Sequence, residues 1–182
     1  MMRRAIVMGV IALWCLGVMA QQTPPPRTIM VTGVAERMVP PDLGTVVMAI
    51  ETQANTVARA VEENNTVTNR VMEAINRLNI PRLMMSTLGF DVQPMYEQLP
   101  TNTTSTRPPR IVGYRVVNRL RIRIPETDPS RLSTAISRVL DAAIGAGANR
   151  VDDISFSLEN EQPVMLDMIG EATRNARAQA NA

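Results

Sequence analysis

The stretch from Ile111 to Ile124 constrains the fold more than any other part of this chain. Its even positions Val112, Tyr114, Val116, Leu120, Ile122 and Ile124 are apolar, and Arg115, Arg119, Arg121 and Arg123 occupy odd ones. Side chains of a strand alternate between two faces, so this segment reads as a strand with one face buried and one solvated and basic. Such a strand belongs to a sheet covered on one side only. Val151 to Glu159 repeats the pattern, with Ile154, Phe156 and Leu158 on one side. Thr28 to Val39, Leu43 to Gln53 and Arg82 to Gln98 are further strand candidates, and Pro40-Pro41-Asp42 breaks the first from the second.

Between the strands the period changes. Val57, Ala60, Val61, Val67, Val71, Ile75 and Leu78 recur at steps of three and four, which predicts a helix over Thr56 to Leu78. Asp128-Pro129 is a capped helix start with proline at the first helical position, and Leu132, Ala135, Ile136, Val139, Ala143 and Ile144 form that helix's buried stripe. Gly145 and Gly147 are stop candidates, and Pro163 opens a last helix that runs towards Ala182. The expected order is β-β-α-β-β-α-β-α. The expected fold is α+β, an antiparallel or mixed sheet of about five strands with helices packed on one face.

The first twenty residues stand outside that fold. Arg3 and Arg4 precede an uncharged apolar run from Ala5 to Val18, and Val18-Met19-Ala20 suits signal peptidase, with cleavage between Ala20 and Gln21. The run is shorter than the roughly 20 apolar residues of a spanning helix, so no stable transmembrane anchor is expected. Residues 21–27, with Pro24-Pro25-Pro26, read as a stiff tether, and 28–182 as the domain. Cys15 and Trp14 leave with the signal, so a disulfide or cysteine metal site is not expected in the mature chain. Arg3 and Arg4 leave too, and 17 Arg then face 17 Asp plus Glu. That balance argues against nucleic acid as a partner.

Chemistry is restricted in the same way. The chain has no His, and all 19 of its basic residues are Arg. Histidine triads, histidine metal sites and lysine Schiff bases are therefore excluded. No catalytic residue, cofactor or metal site is expected.

Three segments resemble the SIMPL-domain family of mostly bacterial exported proteins, which includes periplasmic immunogenic proteins. They are Val31-Thr32-Gly33 with Pro41-Asp42-Leu43; Ile111-Val112-Gly113-Tyr114-Arg115-Val116-Val117-Asn118; and Gly147-Ala148-Asn149-Arg150-Val151 leading into Ile154-Ser155-Phe156-Ser157-Leu158. Their order and spacing agree over about residues 28 to 180. Ala35 stands where the family commonly has glycine, and Gly44 where alanine is common. The family usually continues beyond an Ala-Arg-Ala-Gln-Ala stretch like that ending here into further helix and strand, so the domain is expected to lack a C-terminal strand. The resemblance implies an envelope or stress-related role, a tendency to self-associate, and no catalytic residues.

Several clusters remain to be placed. Arg107, Arg110, Arg115, Arg119, Arg121 and Arg123 lie close together without an intervening acid. Guanidinium groups on one strand face grip phosphate or carboxylate; alternatively they pair with carboxylates on neighbouring strands, for which Asp153 and Glu159 share the polar face of their own segment. Asp152 has the parity of the apolar Ile154 and Phe156. Asn64 interrupts the apolar stripe of the first helix, where a buried amide fixes register. Met84, Met85, Met165 and Met168 read as core fillers rather than a Cu(I) site. Glu62-Glu63 and Asp152-Asp153 are adjacent pairs that point apart.

The reading that follows is an exported, periplasmic or secreted, non-enzymatic protein that acts by self-assembly as a homo-oligomer. Tyr114, Arg115, Arg119, Arg121 and Arg123 are its expected contact face. The alternative is a monomeric binding or adaptor module that presents this face to an anionic envelope ligand. A carboxylate-only glycan hydrolase would need two inward carboxylates in one cleft, and the sequence offers no such pair.

Overall fold

The computed structural model describes residues 28–97 and 108–182. The signal segment with its Ala20–Gln21 cleavage site, the 21–27 tether and Arg107 lie outside them. The described residues form two compact units, one of residues 36–168 and one joining residues 28–35 with 169–182.

The larger unit is built on β1 (Leu43–Ala54), α1 (Val57–Asn76), β2 (Met84–Tyr96), β3 (Ile111–Pro125), α2 (Pro129–Ala146) and β4 (Arg150–Ser157). One antiparallel sheet of 4 strands has the order β2-β3-β1-β4. The sequence pattern explains each element. The predicted alternation of β3 holds through its centre, with Val116, Leu120, Ile122 and Ile124 buried. Thr56 caps α1 by accepting the Arg59 N–H, and the Asp128 carboxylate accepts those of Ser130 and Arg131 at the start of α2. Gly147 ends α2 at φ 118°, in the left-handed region open to glycine.

Both helices pack on one face of the sheet. Val46, Met48 and Ile50 of β1 and Leu120, Ile122 and Ile124 of β3 meet Val71 and Ile75 of α1 and Leu132, Ile136, Val139 and Ala143 of α2. Aliphatic side chains alone fill this core, as the scarcity of aromatics requires.

The sheet has four strands where about five are expected. Thr28 to Val39 has an alternating sequence but no regular secondary structure, and the described element order is β-α-β-β-α-β-α. A strand exists only where its backbone finds a hydrogen-bonded neighbour, and β4 ends the sheet with none beyond it. α3 (Gln162–Ala180) is the predicted last helix, and it buries none of its residues. In the smaller unit the 28–35 segment lies along α3. Asn175 Nδ2 donates to the Val34 carbonyl at 3.0 Å, and a side chain at Gly33 would overlap the Ala172 backbone.

Three motif residues close the larger unit by backbone contacts. The Asp42 carboxylate accepts the Glu159 N–H at 2.6 Å, and its own carbonyl accepts the Glu126 N–H at 2.9 Å, tying together the ends of β1, β4 and β3. Asn149 uses its side-chain amide as a strand would use its backbone: Oδ1 accepts the Glu51 N–H at 2.9 Å and Nδ2 donates to the Glu51 carbonyl at 2.8 Å. With Gly147, these residues shape the fold and form no site.

Candidate functional site

The sheet face turned away from α1 and α2 carries the arginines. β3 supplies Arg115, Arg119, Arg121 and Arg123, and the strand register sets their surroundings. Arg115 lies between Gln53 and Gln93, Arg119 between Ala49 and Gly89, Arg121 between Val47 and Ser86, and Arg123 between Thr45 and Met84. β4 adds Arg150 opposite Ala49, Asp153 opposite Val47 and Ser155 opposite Thr45.

Half of this face is internally neutralised. Arg115 Nε lies 2.9 Å from Glu51 Oε1, Arg119 Nε lies 3.4 Å from Asp152 Oδ2, and Arg150 reaches both acids, Asp152 at 2.6 Å and Glu51 at 3.5 Å. The chain Arg115–Glu51–Arg150–Asp152–Arg119 ties β3, β1 and β4 together. The Arg150 hydrogen bond holds the Asp152 carboxyl below the usual aspartate range; burial opposes it, and the charges of Arg150 and Arg119 reinforce it. Arg150 is stabilised as a cation by the same bond.

The acids in this network are not those suggested by strand parity. Glu159 pairs with Arg82 instead, at 2.7 Å, and Asp153 makes no ion pair with an arginine of the face. Asp152 takes their place because the β1–β4 register shifts between Val47 and Met48. The extra residue of this bulge turns Asp152 from the apolar side to the arginine side. Glu51 and Arg150 were legible as charges but not as partners, since the pairing of β1 with both β3 and β4 is what brings them together.

Arg121 and Arg123 are different. Neither has an acidic partner or a side-chain hydrogen bond among the described residues. Ser86 lies across from Arg121 and Thr45 across from Arg123, and Asp153 and Ser155 stand one strand further on β4. Tyr114 does not join this face. It follows the parity of Val116 towards the helix side, opposite Ala54 and Pro94.

The remaining candidates resolve into structure. Asn64 is fully buried and donates through Nδ2 to the Ile50 carbonyl at 2.9 Å. Its Oδ1 accepts the Thr68 hydroxyl, which in turn accepts Asn118 Nδ2 at 3.0 Å. Asn118 Oδ1 closes this chain as a buried acceptor with no partner among the described residues. Met85 packs against the core, while Met84 and Met165 are exposed. Glu63 pairs with Arg59 along α1. Among the described residues no three His, Cys, Asp or Glu side chains are grouped to hold a metal ion.

A second surface feature lies at the sheet's borders. On the helix side of β4, Val151, Ile154 and Phe156 are exposed, and Phe156 keeps 51% of its surface. On β2, Leu88, Phe90 and Val92 are exposed as well. α1 and α2 cover β1 and β3 between these borders.

Comparison with known proteins gives a consistent result. The family model described as SIMPL, a protein of unknown function (DUF541), matches residues 29–182. The 26 kDa periplasmic immunogenic proteins of Brucella abortus (strain S19) and of Brucella melitensis biotype 1 are each 28% identical over 160 residues. Each match covers 88% of this chain and 61% of the relative, so the chain spans about three fifths of their length. Among solved structures, an amidase of the hydantoinase/carbamoylase family from Burkholderia phymatum aligns at TM-score 0.36 and 15% identity, covering 71% of this chain and 30% of the amidase. A Staphylococcus aureus tripeptidase aligns at 0.33 and 15%, covering 71% and 32%. Similarity this slight carries no argument about activity.

Proposed function

The chain belongs to the SIMPL family, and from that membership we propose that it acts in the bacterial envelope without catalysis, through self-association. Like the Brucella relatives, whose names call them periplasmic, it is a periplasmic or secreted protein. No helix among the described residues is long and apolar enough to cross a membrane.

The observation that carries the proposal is β4. Seven of its eight residues pair with β1, no strand among the described residues pairs with its other side, and seven of the eight are exposed. Natural edge strands are short, bulged or charged to prevent pairing with another chain. β4 has one bulge and the charges of Arg150, Asp152 and Asp153 in its first half, but it combines its edge with exposed Val151, Ile154 and Phe156. Burying apolar surface of this kind on association contributes about 25 cal/mol per Å² before the cost of ordering the partners. The role is structural or stress-related, and the homo-oligomer is its working form.

Ile154→Lys tests this. Ile154 keeps 41% of its surface in the single chain, so the substitution leaves folding intact and places a charge at the edge. Sedimentation velocity is expected to show the parent chain as a larger species and the variant as a single protomer with unchanged circular dichroism. An assembly that survives the substitution would contradict the edge as its site.

A further inference from the structure

We propose that Arg121 and Arg123 form a phosphate-binding platform that docks the protein on an anionic lipid surface. This inference does not depend on the self-association reading, because it uses the open face of the sheet and not its edge.

The division of the arginine face is the starting point. Arg115, Arg119 and Arg150 are committed to Glu51 and Asp152. Arg121 and Arg123 follow on the same strand and face, and no carboxylate bonds to them among the described residues. Asp153 is the nearest acid by register, opposite Val47 on the far side of β1 from Arg121. Two strand spacings put it about 10 Å away. The side chains directly across from the pair are uncharged: Thr45 and Met84 beside Arg123, and Val47 and Ser86 beside Arg121.

The chemistry of that patch selects its ligand. Two guanidinium forks at i and i+2 stand about 6.6 Å apart along the strand. Each fork offers parallel N–H donors suited to bidentate contact with a phosphate or carboxylate. Ser86 beside Arg121 and Thr45 beside Arg123 add hydroxyl donors on the adjacent strands. A phosphate group, with several acceptor oxygens, engages a fork and a hydroxyl together. A carboxylate has two oxygens and is used up by one fork. The patch lies on an uncovered sheet face, whereas small soluble ligands are held in concave pockets. Two adjacent forks on such a face suit a surface that presents many phosphates side by side. Charge complementarity therefore assigns the headgroup layer of an anionic membrane as the occupant.

Co-sedimentation with vesicles of equal parts phosphatidylglycerol and phosphatidylcholine tests the assignment, with phosphatidylcholine alone as reference and pyrophosphate as the soluble probe. Binding to the anionic vesicles is expected, and raised salt is expected to weaken it. Arg121→Gln with Arg123→Gln is expected to weaken it roughly 30-fold, two arginines each contributing about a fivefold factor at such a surface. Neither side chain has an ion-pair partner among the described residues, so circular dichroism and urea midpoint stay those of the parent. Arg115→Gln, which removes a partnered arginine, is expected to leave vesicle affinity within about threefold. Vesicle binding unchanged in the double variant, or weakened as much by Arg115→Gln, overturns the site. Pyrophosphate binding through Arg121 and Arg123 without vesicle binding overturns the membrane as its source.

Discussion

Asn64 interrupts the apolar stripe of α1 and is fully buried. A buried amide is costly unless its hydrogen bonds are made. Here Nδ2 reaches the Ile50 carbonyl and Oδ1 receives the Thr68 hydroxyl, so the helix is pinned to β1 at one point along its length. The sequence position alone marked Asn64 as a register device. Its partners were not legible, because Ile50, Thr68 and Asn118 converge only when β1, α1 and β3 pack. Asn64→Ala leaves the Ile50 carbonyl and the Thr68 hydroxyl without this partner, and the expected loss is about 1–3 kcal/mol. Urea denaturation checks it: a lower midpoint at unchanged slope is expected. A midpoint equal to that of the parent would show that the amide does not stabilise the fold.

At the level of elements, period and capping were the strong signals. The stripe of α1, the Asp128-Pro129 start of α2 and the alternation of β3 each predict what forms, because they depend on neighbours a few residues away. Pairing is a different matter. Parity assigned Asp152 to the apolar side of β4, and one bulge reversed it. Parity also offered Asp153 and Glu159 to the arginines, and the placing of β1 between β3 and β4 gave them Glu51 and Asp152 instead. The resulting network is partly solvated, so its pairs contribute little individually, yet it links three strands. Its pH dependence has a definite sign. The Asp152 carboxyl has a lowered folded-state value, so its contribution is complete above the ordinary aspartate value of about 3.9 and is lost as pH falls below that. Thermal denaturation between pH 3 and pH 6 is expected to show Asp152→Asn losing its stability deficit towards the acid end. A deficit constant across that range would contradict the network's role.

For the whole molecule, the α+β class and the one-sided sheet were legible, and the strand count was not. Thr28 to Val39 has strand composition, but a strand requires a partner that composition does not supply. The SIMPL resemblance rests largely on residues with backbone duties, Asp42, Gly147 and Asn149 among them, which explains why family membership identifies the fold and leaves the activity to other surfaces. The surfaces proposed for it are the open arginine face and the edge of β4. Evolution blunts edges that serve no purpose. The exposed apolar residues on β4 and β2 are the account's reason for an assembled state.

The most direct measurement is the molar mass of residues 21–182 in solution, by size exclusion with light scattering over a range of concentrations. The account predicts a discrete multiple of the protomer mass, with closed association and no drift towards larger species. A protomer mass maintained at every concentration would contradict self-association as the working form of this chain.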